Sequence, residues 1–170
     1  MLKIVSAAVA AALLIAAPAF ACDTIISARV KLSACVDGAT WAVQAPQGVQ
    51  EYLYYSTDGN VGFAVITEAD TAAVSEYRQA ILSNAVAAAL DGSPDNVSVV
   101  SERIETIGGK AWNVIEYQVK TADQPILFQN FYYVQPGFGS TQMVYWSVPT
   151  DATSAAYRAG QMLATLKFGQ

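Results

Sequence analysis

Four apolar segments separated by short turn sequences fill residues 97–148, which read VSVVSERIETIGGKAWNVIEYQVKTADQPILFQNFYYVQPGFGSTQMVYWSV. Each segment is rich in β-branched and aromatic side chains, a composition typical of strands. The predicted strands are residues 97–107, 111–120, 126–134 and 141–148. Since turns this short join only antiparallel neighbours, the stretch predicts a four-stranded antiparallel meander.

The residues before this meander predict three further strands and a helix. Apolar runs at 51–56 and 61–67 flank Asp58-Gly59-Asn60, a typical hairpin turn, and residues 40–43 form a shorter strand candidate. Over residues 71–90 the apolar period becomes helical, with Asp70 or Thr71 as the predicted N-cap. The predicted buried stripe of this helix comprises Val74, Tyr77, Ile81, Ala85 and Ala88.

Turn lengths give a predicted register for the meander. A two-residue turn at Gly108-Gly109 places Arg103 opposite Val114. Carrying the shortest loops onward places Glu116 opposite Asn130, and Asn130 opposite Trp146. One predicted face then carries Arg103, Trp112, Val114, Glu116, Phe128, Asn130, Tyr132, Val144 and Trp146, and the other carries Ile115, Tyr117, Val119, Leu127, Gln129, Phe131, Tyr133, Met143 and Tyr145.

Both predicted faces are too apolar to lie in water, so each needs a covering layer. A closing helix is predicted over about residues 153–166, packing through Ala155, Ala159, Met162 and Leu163. One helix on each side is the simplest arrangement. The fold class expected is α+β, an α/β/α sandwich with a central, mainly antiparallel sheet and two main helices.

Polar residues flanked by aromatic rings form a candidate ligand site on the first predicted face. The polar members are Arg103, Glu116 and Asn130, and the rings are Trp112, Tyr132 and Trp146. Rings supply contact area and charged groups fix orientation in many small-ligand sites. The alternative interpretation is an Arg103–Glu116 cross-strand pair on a wet part of the sheet.

Exposed aromatic residues give a second candidate, a partner surface at Tyr54, Tyr55 and Phe138. The alternatives are half-buried strand packing for the tyrosines and, for Phe138, a contact that holds down its own turn.

The first 21 residues have the form of a cleaved export signal. Lys3 precedes an almost unbroken apolar run, and Ala19-Phe20-Ala21 has the small-x-small pattern of a signal peptidase site. The expected location is periplasmic or secreted, where Cys22 and Cys35 can form a disulfide. A lipid anchor at Cys22 is the alternative, but lipoprotein signals usually carry Leu where this chain has Ala19.

Composition excludes several function classes. Removing Lys3 with the signal leaves eight basic and fourteen acidic residues, a formal charge of −6, which disfavours nucleic-acid partners. The chain has no histidine, so it lacks a Ser-His-Asp system and an imidazole metal site. We therefore expect no cofactor, no metal site and no catalytic residue, and after signal cleavage no transmembrane span. An enzyme using carboxylates, a hydrolase or isomerase, is the least favoured interpretation.

The order of these elements, together with Gly109-Lys110-Ala111-Trp112, residues 126–133, residues 142–146 and residues 163–168, resembles small exported bacterial proteins of the PsbP-like fold family. The resemblance covers roughly residues 37–168. It implies an α/β/α sandwich used as an accessory or binding module, and it assigns no site residues.

The domain organisation expected is a signal at 1–21, a disulfide-tied segment at 22–36 and one PsbP-like domain at 37–170. The function expected is that of an exported accessory or protein-interaction domain, with another envelope protein as partner. The alternative is a small-ligand binding module that uses the aromatic and polar face of the sheet.

Overall fold

A computed structural model of the protein describes residues 22–27, 29–69, 71–135 and 137–169. The predicted export signal lies outside the described residues. In these described ranges, ten strands form two sheets, and two α-helices pack against the larger sheet. No helix in the described part of the chain is both long enough and apolar enough to span a membrane.

The larger sheet has seven strands, and every neighbouring pair is antiparallel. In chain order they are β3 (Trp41–Gln44), β4 (Tyr52–Ser56), β5 (Val61–Glu68), β6 (Val97–Ile107), β7 (Lys110–Lys120), β8 (Pro125–Gln135) and β9 (Gly139–Ser147). Their spatial order is β3-β4-β5-β9-β8-β7-β6. The predicted meander is confirmed, and β9 joins it to the earlier strands by pairing with β5.

A second, three-stranded sheet was not predicted. It consists of β1 (Cys22–Ser27), β2 (Leu32–Asp37) and β10 (Lys167–Phe168), in the order β1-β2-β10. Val30, Leu32, Ala34 and Val36 point alternately inward and are buried in the main core. The described residues between 22 and 36 are therefore part of the packed domain.

The two helices lie on opposite faces of the large sheet, as predicted. Helix α1 (Val74–Ala88) packs on β6, β7 and β8 through the buried Tyr77, Ile81 and Ala85. Helix α2 (Ala152–Leu163) shares the other face with the small sheet. Its predicted contacts Ala155, Ala159, Met162 and Leu163 are all buried.

Three details of the α1 prediction are wrong. Val74 and Ala88 are exposed rather than buried, because both lie at the ends of the helix. The N-cap is Ala73, whose backbone N–H donates to the Glu76 carboxylate over 3.0 Å. The Glu76 side chain therefore accepts from one of the free N–H groups at the start of the helix, the role that was predicted for the N-cap side chain. Asp70 lies outside the described residues.

The predicted register is correct between β6 and β7 and wrong at the next two junctions, since Asn130 lies opposite Val144 of β9 rather than Trp146. Arg103 lies opposite Val114, as predicted. However, Glu116 lies opposite Gln129, and Asn130 lies opposite Ile115. The cause is the β7–β8 loop, which holds four residues because the Thr121 hydroxyl donates to the Gln124 carbonyl over 2.7 Å. A shift of one residue moves every side chain of β8 and β9 to the other face relative to β7.

The predicted disulfide is confirmed. Cys22 in β1 is bonded to Cys35 in β2, with their Cα atoms 5.4 Å apart. In this form the Cys22 sulfur is unavailable for a thioether-linked lipid. The bond therefore joins the start of β1 to β2 within the small sheet.

Candidate functional site

A groove opens on the α1 face of the large sheet. Helix α1 packs mainly on β6, β7 and β8, and the groove lies between the helix and the neighbouring strands β5 and β9. The main part of the groove has a volume of about 390 Å³ and continues along the helix into a second part of about 300 Å³. We call it the α1 groove. Its main part is lined by Val49, Gln50, Ala64, Ile66, Ile81, Asn84, Ala85, Ala88, Tyr117, Val119, Phe128, Asn130, Gln142, Val144 and Trp146.

A row of aromatic rings from four strands extends across β4, β5, β9, β8 and β7 beside the α1 groove. Tyr55 meets Trp146 edge-on with ring centroids 5.8 Å apart, and Trp146 lies 6.2 Å from Phe128. Phe128 then stacks on Tyr117 at 5.3 Å. Gly62 permits this arrangement, since a Cβ at that position would overlap the indole ring of Trp146. The row gives the groove a rigid apolar wall.

Two side chains that line the α1 groove have a buried amide oxygen with no hydrogen-bond partner among the described residues. Asn130 is 1% exposed, and its side chain is hydrogen-bonded to the Tyr117 hydroxyl, yet its Oδ1 has no partner. The Oε1 of Gln50 is also buried and unpartnered. An unpaired buried acceptor carries a desolvation cost of about 1–3 kcal/mol. A ligand that donates N–H or O–H groups would remove this cost.

The charge of the α1 groove is confined to one end. Glu68 and Glu76 line the second part of the groove, near the start of α1. The Tyr77 hydroxyl is hydrogen-bonded to Glu68 and to Ser140, which fixes the ring at that end. The main part is lined only by apolar, tyrosine and amide side chains. Within the described ranges, no group of three acidic or cysteine side chains is placed to hold a metal ion.

The structure divides the six residues of the predicted ligand site between two faces. Asn130 and Trp146 line the α1 groove, and Tyr132 lies under α1, where its ring stacks on Tyr77. Trp112, Glu116 and Arg103 lie on the α2 face. The six residues therefore do not form one site, because the β7–β8 register differs from the predicted one.

The alternative interpretation of Arg103 and Glu116 agrees with the structure. The guanidinium Nη1 lies 3.8 Å from Glu116 Oε2, and Arg103 also donates to Glu105 over 2.6 Å. Glu116 further accepts from Gln129 Nε2 at 2.9 Å, and the Tyr145 hydroxyl donates to the amide oxygen of Gln129. Burial raises the pKa of Tyr145, and the Glu116 charge adds to this effect. The side chains of Arg103, Glu116, Gln129 and Tyr145 therefore bind one another in a polar network.

The predicted partner surface is also divided. Tyr54 is buried in the core on the α2 face, whereas Tyr55 lies on the α1 face against Trp146. Phe138 is exposed on the β8–β9 loop, with the Lys31 ammonium 4.9 Å from its ring centroid. These three residues form no continuous surface.

Gln50, Asn84 and Gln142 were missed by sequence reasoning. Gln142 alone had a signal, because it is a polar residue among the apolar positions of β9 that share its face. Asn84 lies on the exposed side of the helical stripe, and Gln50 lies in a loop. Neither position follows from a periodic pattern.

Buried tyrosines around the α1 groove predict a loss of stability at high pH. Burial raises the pKa of Tyr117 to about 12 and that of Tyr77 to about 12. In the unfolded chain both titrate near their ordinary value of about 10. Their contribution is therefore complete below pH 10 and is lost as the pH rises from 10 through 12.

At pH 11 the loss from Tyr117 alone is about 1.4 kcal/mol of unfolding free energy. Urea unfolding of the wild type and of Tyr117→Phe, measured from pH 8 to pH 11, checks this. The variant should show the flatter pH dependence, and Tyr157→Phe, an exposed control, should follow the wild type. Equal slopes in all three proteins would contradict the prediction.

No protein-family model matches the chain, and no curated protein sequence matches it. Several solved structures share its fold. The cyanobacterial PsbP protein CyanoP from Synechocystis has a TM-score of 0.60 and 8% identity, over 94% of this chain and 98% of that protein. LpqN from Mycobacterium tuberculosis, which is described as involved in cell envelope biogenesis, has a TM-score of 0.60 and 7% identity, over 88% and 91% of the two chains.

A protein from Bacteroides thetaiotaomicron has a TM-score of 0.56 and 15% identity. The match covers 86% of this chain but 48% of the Bacteroides protein, so this chain spans about half the length of that protein. At these identities the likeness concerns the fold alone. The resemblance to the PsbP-like fold that the sequence pattern indicated is confirmed.

Proposed function

We propose that this protein is an exported accessory domain that acts by binding rather than by catalysis, and that the α1 groove receives an uncharged segment of another envelope protein. One observation carries the proposal. Asn130 lines a groove whose other side chains are apolar, aromatic or amide, and its buried Oδ1 has no hydrogen-bond partner among the described residues. An extended segment has backbone N–H groups to donate to this oxygen, and apolar side chains to lie along the aromatic row.

The export part of this proposal rests on the Cys22–Cys35 disulfide and on the envelope role described for LpqN. Intramolecular disulfides persist in oxidising compartments outside the cytoplasm. The non-catalytic part rests on the lining of the groove. Its main part holds amide, tyrosine and apolar side chains, and a pair of carboxylates occurs only at the outer end.

A second candidate function is the binding of a small uncharged ligand in the same groove. The volume of the main part, about 390 Å³, is within the range of about 300–1,000 Å³ that is usual for small-molecule sites. Such a ligand would be apolar or aromatic and would carry N–H or O–H groups for Asn130 and Gln50.

A helix substitution that fills the α1 groove tests both candidates. Ala88 lines the groove and is exposed, so Ala88→Trp places a ring in the opening with little effect on the core. Ala87, the preceding residue, is exposed and lies outside the groove, so Ala87→Trp is the matched control. We expect Ala88→Trp to abolish binding and Ala87→Trp to retain it.

The measurement is site-specific photocrosslinking from position 49, which lines the α1 groove, in cell-envelope extracts. A protein adduct that is lost in Ala88→Trp and kept in Ala87→Trp supports the accessory role. A small molecule retained by the wild type in native mass spectrometry, and lost only in Ala88→Trp, supports the second candidate. Adducts that do not depend on residue 88 would overturn both.

A further inference from the structure

We infer that two copies of this chain form a symmetric dimer by antiparallel pairing of β6 with β6, centred on Ile104. Strand β6 is the last strand at one edge of the large sheet, and within the described residues nothing pairs with its outer side. It has eleven residues and contains no proline. Ile104 is 71% exposed near its middle, which is unusual for a large apolar side chain on an open edge.

The hairpin turn determines which backbone groups of β6 face outward. Ile107 lies opposite Lys110 across the two-residue turn, and the residues that flank such a turn exchange both backbone hydrogen bonds. Bonded and non-bonded pairs alternate along an antiparallel ladder. Glu105 and Arg103 are therefore bonded to β7. The N–H and C=O groups of Thr106, Ile104 and Glu102 point away from the sheet.

Symmetry limits the registers in which β6 can pair with a second β6. A two-fold axis perpendicular to the sheet keeps the two α1 faces on the same side of the dimer. In an antiparallel pair, residues on opposite strands then share a face only if one residue of β6 lies opposite the same residue of the second copy, with the axis between them. If that residue is Glu102, Arg103 or Glu105, two like charges lie directly opposite each other, which is destabilising. The irregularity between Val99 and Ser101 interrupts pairing toward the start of the strand.

The register centred on Ile104 is the one that matches charges. It places Arg103 opposite the second copy's Glu105, and Glu105 opposite the second copy's Arg103, so two ion pairs form on the α2 face. On the α1 face, the two Ile104 side chains contact each other, and Glu102 lies opposite the second copy's Thr106. All three outward-facing residues then meet outward-facing partners, which gives about six backbone hydrogen bonds.

The surroundings of β6 are compatible with this pairing. Arg78 of α1 binds the Glu102 carboxylate at 2.6 Å on the α1 face, and a neighbouring threonine leaves that pair undisturbed. The same flank of α1 carries the half-buried Leu82 and Val86 beside an open depression of about 330 Å³. In the dimer these flanks face each other across the axis and add apolar contact. The α1 groove lies on the opposite flank of the helix, so this inference does not depend on the proposed function.

Sedimentation velocity over a range of protein concentrations tests the dimer. We expect the wild type to shift reversibly from monomer to dimer as its concentration rises. Ile104→Lys places two ammonium groups together on the axis and should leave a folded monomer. Val100→Lys is the matched control, since Val100 is 57% exposed on the same strand but lies outside the Glu102–Thr106 ladder, and it should still dimerise. A wild type that stays monomeric throughout, or an Ile104→Lys variant that still dimerises, would overturn the inference.

Charge reversal tests the register itself. Arg103→Glu and Glu105→Arg should each weaken self-association by roughly tenfold, because each opposes two like-charged pairs. Mixing the two variants should restore a dimer, since the first carries two glutamates and the second two arginines at the facing positions. A mixture that remains monomeric, when the wild type dimerises, would show that β6 does not pair in this register.

Discussion

Trp112→Ala is expected to lower the free energy of unfolding by about 3–5 kcal/mol, the usual cost of removing a large buried ring. The Trp112 side chain is 0% exposed. Its ring contacts Tyr133 and Phe168 with centroids 5.5 and 6.0 Å away, and its Nε1 donates to the Ile107 carbonyl over 3.2 Å. Because Phe168 belongs to β10, the indole joins the small sheet to the large one. Urea unfolding followed by circular dichroism measures the change.

Trp146→Ala is the matched control for this substitution. Trp146 is half-buried at the α1 groove, between Tyr55 and Phe128, so its loss should cost less stability than that of Trp112. It should instead reduce photocrosslinking from position 49. If both tryptophan variants lost equal stability, the placement of Trp112 in the core and Trp146 at the groove would be contradicted.

Replacing both cysteines by serine is expected to cost about 3 kcal/mol of unfolding free energy, from the closed loop of the Cys22–Cys35 disulfide in the chain-entropy account. The thermal midpoint should fall by several degrees for a chain of this size. The hydrogen bond from the Cys35 N–H to Thr165 Oγ1 at 2.8 Å is unaffected by the substitution, so the small sheet should still form.

Reduction supplies the control for the disulfide. Dithiothreitol should lower the thermal midpoint of the wild type to that of the double-serine variant, and it should leave the variant unchanged. A wild type whose stability does not respond to the reductant, although its thiols become titratable, would contradict the expected contribution.

The sequence was sufficient to predict the meander, the two helices and their placement on opposite faces. These features follow from strong periodic patterns of apolar residues, which can be seen within short stretches of the sequence. Val97–Ile107 was predicted with the bounds that the structure has, because Pro94 and the Gly108-Gly109 turn delimit it sharply. The likeness to the PsbP-like fold followed from the order of these elements.

The candidate site was not predictable to the same extent. Which side chains share a face depends on whether the β7–β8 loop has an odd or an even number of residues. The β8–β9 face relation was correct, so Asn130 and Trp146 were rightly placed together. The β7–β8 loop has four residues, one fewer than the predicted register requires, and this difference places Arg103, Trp112 and Glu116 on the other face. Nothing in the residues of that loop alone distinguishes a loop of five residues from one of four before the Thr121 hydroxyl contact is known.

The small sheet was missed although a signal for it was present. Val30, Leu32, Ala34 and Val36 alternate with polar or small residues, the period of a half-buried strand. Because Cys22 and Cys35 bracket these residues, the segment was interpreted as a terminal segment held by a disulfide rather than as strands. Its third strand, β10, has only two residues, too few to give any period.

The pairing of β5 with β9 has a consequence for when the protein folds during its synthesis. Strand β5 (residues 61–68) lacks its pairing partner on one side until residues 139–147 have been synthesised. Strand β2 likewise lacks its second partner until residues 167–168 have been synthesised. Contacts between such distant parts of a chain form slowly, since a long loop must first close. Both sheets are therefore completed only by residues near the end of the described chain, so we expect stable folding to begin only after most of the chain has been synthesised.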